Sequence, residues 1–207
     1  MQIKCIPAGP LSTNCYIVSD KAEALIIDPG GDFETIVNYL NDVGVTPEAI
    51  LLTHAHFDHI GAVSQLRSYF GSDVYLHASE QSWLEDPVLN GSLTFMRTEI
   101  TTATAEYSLV PGNLQIGTFS FEVIHTPGHS PGSVSFLFHN ASFIVSGDVL
   151  FNGGIGRTDL PGGDIKQLER SIRESLYQLP DVYTVYPGHG PETTIGNEKR
   201  QNPFFTL

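Results

Sequence analysis

Four side chains with metal-binding atoms fall within six residues of the stretch 52-LTHAHFDHIGA-62. They are His54, His56, Asp58 and His59, and they follow a run of aliphatic side chains. Residues two apart in an extended segment point the same way, so His54 and His56 should project together. Asp58 and His59 should point to the same pocket, because the chain turns there into a helix. One tetrahedral ion could not easily use four ligands at this spacing, whereas two ions in one pocket could share them. The motif therefore predicts a metal centre with further ligands elsewhere in the chain.

Three more candidate ligands lie on loops that follow apolar strands. They are His129 in 126-TPGHSPGS-133, Asp148 at the end of FIVSGD, and His189 in PGHG. With one carboxylate shared, seven ligands make two sets of four. Nitrogen and oxygen donors without thiolate suit Zn²⁺, Fe or Mn²⁺. We therefore expect two divalent ions, with zinc favoured over iron and manganese, because burying so many ionisable groups without metal would be costly.

The remaining histidines are not expected to bind metal. His77 and His139 are single loop histidines, for which solvent exposure or a hydrogen bond is the ordinary state. His125 precedes 126-TPGH and is expected to be a strand-end or supporting group. Asp28, in IIDPGG, is expected to support the histidine loop by hydrogen bonds or to cap a turn.

Hydrophobic periodicity predicts the elements that position these ligands. A helix should begin after Asp32, which is placed to cap it, and end at Gly44. A second clear helix should cover 164–179, where Asp164 and Gln167 resemble a capping box. Ser79 is placed to cap a short helix through Trp83 that Asp86-Pro87 would end, and the rest of 79–105 shows no clear period and is left unassigned. The predicted strands are 2–7, 14–19, 23–28, 49–53, 73–78, 114–126, 133–139, 142–148 and 182–187, with one more helix at 60–70.

Length and charge bound the function. A chain of 207 residues without a linker-like change of composition predicts one domain, residues 1–207. Ten Lys+Arg against 23 Asp+Glu give a formal net charge of -13, which would repel a nucleic acid. No stretch resembles a signal sequence or an apolar span of roughly 20 residues, so we expect a cytoplasmic protein without a membrane partner. Cys5 and Cys15 are expected to be buried thiols rather than a disulfide.

The order and separation of THAHFDH, TPGHS, SGD and PGHG resemble the metallo-β-lactamase superfamily over nearly the whole chain. The resemblance implies an α+β fold, a four-layer αβ/βα sandwich with the metals at one edge between two sheets. It also implies that Asp148 bridges the two ions. The other implied ligands are His54, His56 and His129 for one ion, and Asp58, His59 and His189 for the second.

Two further stretches are similar to the glyoxalase II group, the hydroxyacylglutathione hydrolases, and especially to its short bacterial members. They are 151-FNGGIGRTDLPGGD-164 and 188-GHGPETTIGNEKRQNPF-204. Full-length glyoxalase II carries a further C-terminal helical region that binds glutathione. The sequence stops at Leu207 without it, so we expect weak binding of glutathione. Arg157 and Asp159 are expected to form an ion pair that shapes the loop.

Such a centre would hydrolyse an activated carbonyl. A water between two divalent ions loses a proton near neutral pH, and an ion polarises the carbonyl that it meets. Asp58 is the expected catalytic residue, because its carboxylate can orient that water. A leaving thiolate has a pKa of about 8.5 and needs no general acid, whereas an amide nitrogen needs a proton. The expected partner is therefore a small-molecule thioester, S-lactoylglutathione or a similar 2-hydroxyacyl thioester.

Four other functions stay open. Persulfide dioxygenases share the fold, the HxHxDH block and a stretch like GRTD at 156–159, but they use one iron held by two His and one Asp. Lactone hydrolysis on the same site is chemically close. A processing nuclease is disfavoured by the acidic charge, and an inert binding module would keep the ligands without turnover. Metal content and a thioester panel would separate these functions.

Overall fold

The computed structural model describes residues 1–206, so Leu207, the last residue of the predicted domain, lies outside it. The chain divides into two compact units, one of Met1–Leu109 with Gln115–Phe119 and one of Val110–Leu114 with the residues from Ser120 onward. Sheets and helices occur together throughout, which confirms the predicted α+β class. The prediction of a single domain is not tested by this division and stays a prediction.

The sheet of the first unit has six strands in the order of the sequence. The first three pair antiparallel, and the third to sixth pair parallel. Parallel strands end at one edge of a sheet, so the residues that follow the third, fourth and fifth strands gather there. The strands are β1 Gln2–Ala8, β2 Thr13–Asp20, β3 Glu23–Ile27, β4 Thr46–Leu51, β5 Asp73–His77 and β6 Tyr107–Leu109.

Three of the α-helices of the first unit contribute buried apolar side chains to its core. The helices of this unit are α1 Phe33–Val43, α2 Phe57–Ile60, α3 Val63–Phe70 and α4 Ser92–Met96, with a 3₁₀ helix at Ala78–Leu84. Both α1 and α3 end as predicted, at Gly44 and Gly71 in the left-handed conformation. The 3₁₀ helix matches the short helix considered through Trp83, but it is capped by Nδ1 of His77, which accepts from Ser79 N.

Asp32 is the N-cap residue of α1, as predicted, but its side chain makes no capping hydrogen bond. Asp32 precedes α1 with a left-handed backbone, φ 51°, which turns its side chain away from the helix. Its Oδ2 instead accepts from Gly9 N at 2.8 Å. The residue therefore ties the β1–β2 turn to the start of α1.

The second unit is built on a six-stranded sheet. Its strand order is β14-β13-β10-β9-β8-β7, and β11 and β12 form a separate hairpin. The bounds are β7 Gly112–Ile116, β8 Phe119–His125, β9 Val134–Phe138, β10 Phe143–Gly147, β11 Leu150–Phe151, β12 Gly154–Ile155, β13 Thr184–Pro187 and β14 Thr193–Thr194. The predicted single strand at 114–126 is wrong, because Gly117 adopts φ 52° and breaks it into β7 and β8.

A helical stretch from Ile165 to Gln178 confirms the strongest helix prediction. It begins as α5, Ile165–Arg170, widens to a π turn at Ser171–Ser175 and ends as a 3₁₀ turn. Asp164 Oδ1 accepts from the N–H groups of Lys166 and Gln167, as expected of a cap. Ile165, the first residue of α5, is 47% exposed. The last helix is α6, Ile195–Gln201, and within residues 1–206 no helix is long and apolar enough to cross a membrane.

Candidate functional site

The four candidate ligands of the first unit lie together at the carboxyl edge of its parallel strands. They follow β4 and enter α2, and all four are buried, although each is titratable. The rings of His54 and His56 are 4.8 Å apart between centroids, and those of His54 and His59 are 4.1 Å apart. Nε2 of His59 lies 3.6 Å from Oδ2 of Asp58. The extended-then-helical course predicted for this stretch therefore does bring the four side chains together.

Asp28 fixes the orientation of two of these histidines. It follows β3 at the same edge, and its carboxylate accepts from Thr53 N at 2.7 Å and from Thr53 Oγ1 at 2.6 Å. Because the Thr53 hydroxyl gives its proton to Asp28, it can only accept from Nδ1 of His54, 3.1 Å away. Nδ1 of His59 lies 3.0 Å from Asp28 Oδ2, where a proton on that nitrogen is favoured. In both rings Nε2 is then left with the lone pair that a metal needs. The predicted supporting role of Asp28 is confirmed.

Three residues that the sequence did not point to hold the same loop. Glu80, fully buried after β5, accepts from Ala55 N at 2.7 Å, between the first two histidines. Thr13, fully buried in β2, donates to Oδ2 of Asp58 at 2.8 Å. Gly30 lets the chain pass closely, because a Cβ there would collide with the carbonyl oxygen of Asp58.

The three candidate ligands of the second unit also share one sheet edge. β10 and β13 run parallel, and β8 runs in the same direction because it pairs antiparallel with β9, which pairs antiparallel with β10. His129, Asp148 and His189 follow β8, β10 and β13 respectively. Nε2 of His129 lies 3.7 Å from Oδ2 of Asp148, and Nε2 of His189 lies 3.6 Å from the same oxygen.

The tautomer of His129 is set by a backbone carbonyl. Its Nδ1 lies 2.8 Å from Arg157 O, and because a carbonyl only accepts, Nδ1 carries the proton and Nε2 the lone pair. Gly156 allows this contact, since a Cβ there would collide with the carbonyl oxygen of Asp148. The predicted ion pair of Arg157 with Asp159 is confirmed, at 2.7 and 2.8 Å. The guanidinium lowers the pKa of Asp159 to about 2.

A buried carboxylate in the C-terminal motif supports the same loop. Glu198 accepts from Thr193 Oγ1 at 2.6 Å and Asn197 Nδ2 at 2.9 Å through one oxygen. Its other oxygen accepts from Gly153 N at 3.0 Å and Asn202 Nδ2 at 2.8 Å. Four hydrogen bonds offset the desolvation of this charge. The β11–β12 turn, which leads to Arg157, is thereby tied to α6.

Residues 8–189 match the model of the metallo-beta-lactamase superfamily. The chain belongs to the metallo-β-lactamase superfamily. A solved structure described as BLEG-1 B3 metallo-beta-lactamase is 53% identical, with a TM-score of 0.97 and complete coverage of both chains. The structure of TTHA1623 in a di-iron-bound form is 40% identical, with a TM-score of 0.89, and covers 98% of this chain and 100% of its own. The predicted fold is therefore confirmed.

Two relatives of this superfamily member are similar over almost their whole length. The probable metallo-hydrolase YqgX of Bacillus subtilis is 48% identical, over 99% of this chain and 97% of that protein. The hydroxyacylglutathione hydrolase GloC of Haemophilus influenzae is 38% identical, over 99% of this chain and 98% of that protein. The predicted membership of the superfamily and the predicted similarity to a glyoxalase II-like protein are confirmed.

The donor sets within each unit fit divalent ions. Hydrogen bonds between nitrogen and oxygen are about 2.7–3.2 Å long, and the three imidazole–carboxylate separations of 3.6–3.7 Å exceed that range. Two atoms about 2.1 Å from one tetrahedral ion lie about 3.4 Å apart, close to these separations. Imidazole and carboxylate donors suit the divalent ions of metallo-hydrolases.

The other histidines behave as predicted. His139 is exposed, with Nε2 2.9 Å from Glu122 Oε2, and His77 caps the 3₁₀ helix. His125 ends β8, with Nε2 3.0 Å from Pro131 O. Cys15 is buried, which raises its pKa, whereas Cys5 is only partly buried and its Sγ donates to Asn14 Oδ1. The prediction of buried thiols is confirmed for Cys15 and wrong for Cys5, which is only partly buried.

Proposed function

We propose that the two ligand clusters supply one binuclear centre and that the protein hydrolyses thioesters. His54, His56 and His129 hold one ion, Asp58, His59 and His189 hold the second, and Asp148 bridges them. Membership of the superfamily supports this set, as does the position of these residues in α2 or in the loops that follow β4, β8, β10 and β13. The proposed ions are divalent, with zinc favoured. The di-iron form of TTHA1623 makes iron the first alternative.

The observation that carries the proposal is the position of a single oxygen. Oδ2 of Asp148 lies 3.7 Å from Nε2 of His129 and 3.6 Å from Nε2 of His189. The two histidines belong to different ligand sets in the proposal. A carboxylate oxygen at nearly equal distance from a nitrogen of each set supports a bridging role for Asp148.

When bound, the two ions would lower the pKa of a water and polarise the substrate carbonyl. Asp58 would accept a hydrogen bond from the attacking water and orient it toward the carbonyl carbon. Thr13 keeps the carboxylate in this orientation by donating to its Oδ2. Burial of Asp58, His54, His56, His59 and His129 keeps bulk water away from the reacting groups. A thiolate leaves without a proton donor, since its conjugate acid has a pKa of about 8.5.

The proposed substrates are 2-hydroxyacyl thioesters such as S-lactoylglutathione. The similarity to GloC, named a hydroxyacylglutathione hydrolase, supports this choice. The net charge of -13 repels the carboxylates of glutathione, so we expect the cost to appear in KM rather than in kcat. The same charge supports a small-molecule partner rather than nucleic acid. The cytoplasm is the proposed compartment.

Hydrolysis of a β-lactam is the second candidate function. The similarity to BLEG-1, described as a B3 metallo-beta-lactamase, favours it. The reaction opens an amide, whose nitrogen must take a proton as it leaves. A thioester makes no such demand, and for that reason it ranks first.

One panel tests both functions. The purified protein is reconstituted with zinc or with iron. It is assayed for hydrolysis of S-lactoylglutathione, a lactoyl thioester of a simple thiol, a lactone and a cephalosporin. Oxygen uptake is recorded with a glutathione persulfide. We expect kcat/KM to be highest for the thioesters and activity to disappear with a chelator. Faster turnover of the cephalosporin would assign the second function. Oxygen uptake with one iron per chain would assign a persulfide dioxygenase and overturn the proposal.

A further inference from the structure

Helix α4 presents three large apolar side chains to solvent. Leu93 is 44% exposed, Phe95 46% and Met96 37%, within four consecutive residues. Leu93 and Met96 are three apart and therefore neighbours on the helix surface. We call Leu93, Phe95 and Met96 the apolar shelf. Grouped apolar exposure in a soluble protein indicates a binding surface more often than single exposed residues do.

The shelf is held on a rigid base rather than on a loose loop. Asn90 and Ser92, both fully buried, form the base. Asn90 Nδ2 donates to Trp83 O at 3.1 Å and to Ile100 O at 2.9 Å, and Asn90 Oδ1 accepts from Ser92 N at 2.9 Å. Ser92 Oγ accepts from Ile100 N at 3.1 Å. Four backbone groups are thus fixed under α4, so the shelf is ordered before anything binds to it.

The shelf is attached directly to the metal-binding motif. Phe57, between His56 and Asp58, donates its N–H to Asn90 O at 3.0 Å. Its buried ring stacks on Phe95, with centroids 6.1 Å apart and 24° between the planes. A Cβ on Gly91 would lie 3.3 Å from the Phe95 ring, so the absence of a side chain at Gly91 leaves room for that ring. Phe95 therefore covers the one side chain that separates two proposed ligands.

We propose that the apolar shelf binds a hydrocarbon group of the thioester substrate. The inference rests on the proposed function and specifies its substrate class. It favours thioesters with an apolar acyl or thiol part over S-lactoylglutathione. A second copy of this chain is a poor occupant, because a stable interface takes about 800 Å² and 20–30 residues from each partner. Three partly exposed side chains offer far less, whereas they match a chain of a few methylenes.

The test compares two thioester series on the metal-loaded protein. In the first, the thiol is N-acetylcysteamine and the acyl group is lactoyl or hexanoyl; in the second, lactoyl is joined to N-acetylcysteamine or to hexanethiol. The variants are Phe95→Ala and the double variant Leu93→Ser with Met96→Ser. Val182→Ser is the matched control, since Val182 is an apolar residue, 76% exposed, in the second unit. Metal content and melting temperature verify that the variants fold.

We expect the double variant to lower kcat/KM about tenfold or more for at least one hexyl-containing thioester, through KM. This corresponds to about 1.4 kcal/mol, the burial of roughly two methylenes. The lactoyl N-acetylcysteamine thioester should change less than twofold, as should every substrate with Val182→Ser. The series whose ratio changes identifies the acyl or the thiol side as the bound group. Equal changes for short and long thioesters would overturn the inference.

Two further measurements separate this inference from the proposed function. Binding of the unreactive thioether S-hexyl-N-acetylcysteamine is followed by calorimetry in the parent and the double variant. Loss of this binding supports the shelf even if no thioester is hydrolysed, and unchanged binding with unchanged kinetics overturns it while hydrolysis stands. Light scattering reports the mass in solution. A dimer that the double variant dissociates would assign the shelf to contact between copies, against the inference.

Discussion

The hydroxyl of Thr13 lies 2.8 Å from Oδ2 of Asp58, a residue 45 positions further along the chain. Both side chains are buried, and the hydroxyl can donate to the carboxylate without competition from bulk water. The contact ties β2 to the loop that carries the histidines. It holds the carboxylate of Asp58 in the orientation that its proposed role requires.

Replacement of Thr13 by Val, which has the same shape, should weaken metal binding about 10- to 100-fold. A hydrogen bond to a charged group contributes about 1.5–3 kcal/mol, and the loss would release Asp58 from its orientation. Thr13→Ser keeps the hydroxyl and should retain affinity near that of the parent. Cobalt titration of the metal-free proteins, followed by absorbance, measures this. Equal affinity in the Val and Ser variants would show that the contact does not position Asp58.

Asp28→Asn should lower metal affinity by at least about tenfold. An amide can offer one acceptor oxygen, whereas Asp28 faces Thr53 N, Thr53 Oγ1 and His59 Nδ1. The variant therefore frees the tautomer of His54 or of His59. Asp32→Asn is the matched control, because the hydrogen bond that the Asp32 side chain accepts from Gly9 N needs only an oxygen. Competition with a chromophoric chelator gives both affinities. Equal metal affinity of the two variants would show that Asp28 does not determine the tautomers of His54 and His59.

Asp148→Ala should reduce both metal content and turnover, the latter about a hundredfold or more. One change removes a ligand from each proposed set and leaves the two cations without the charge between them. His139→Ala, at an exposed histidine, is the control and should behave as the parent. Elemental analysis after dialysis and thioester kinetics measure the two effects. Similar metal and similar rates in both variants would refute the bridging assignment.

Tyr177 makes stability sensitive to alkaline pH. Burial, with a smaller effect of Glu198, raises its pKa from 10.0 to about 12. Because folding raises the pKa, the contribution of the protonated Tyr177 hydroxyl to stability is complete below pH 10. It is lost as pH rises from about 10 to about 12. Tyr177→Phe loses the hydrogen bond to Glu198 O and should be less stable at pH 7, but its free energy of unfolding should fall less over that interval. Urea unfolding at pH 8, 10 and 11 tests this, with exposed Tyr69→Phe as control. An identical decline in Tyr177→Phe and the parent would contradict it.

The sequence predicted what depends on local periodicity. The two-residue spacing of His54 and His56 and the capping of α5 by Asp164 are properties of a few consecutive residues. The Asp28 contact was predictable because a carboxylate at a strand end beside a histidine loop has few other uses.

Contacts between distant segments could not be found in this way. Glu80 reaches Ala55 across 25 positions and Glu198 reaches Gly153 across 45, and no repeat in the sequence marks either pair. The side-chain role of Asp32 was misjudged because a positive φ, which acidic residues tolerate better than most, turned its side chain elsewhere. Helix α4 was missed because it is a short helix fixed by the bonds of Asn90 and Ser92 rather than by an apolar stripe.

The most direct test of the account is the titration of metal-free protein with zinc while hydrolysis of a lactoyl thioester is recorded. The account predicts that activity rises to saturation at two equivalents per chain and that chelation reverses it. Saturation at one equivalent, with Asp58→Ala and His189→Ala still fully active, would contradict the binuclear centre. Full zinc loading without thioester hydrolysis would contradict the proposed reaction.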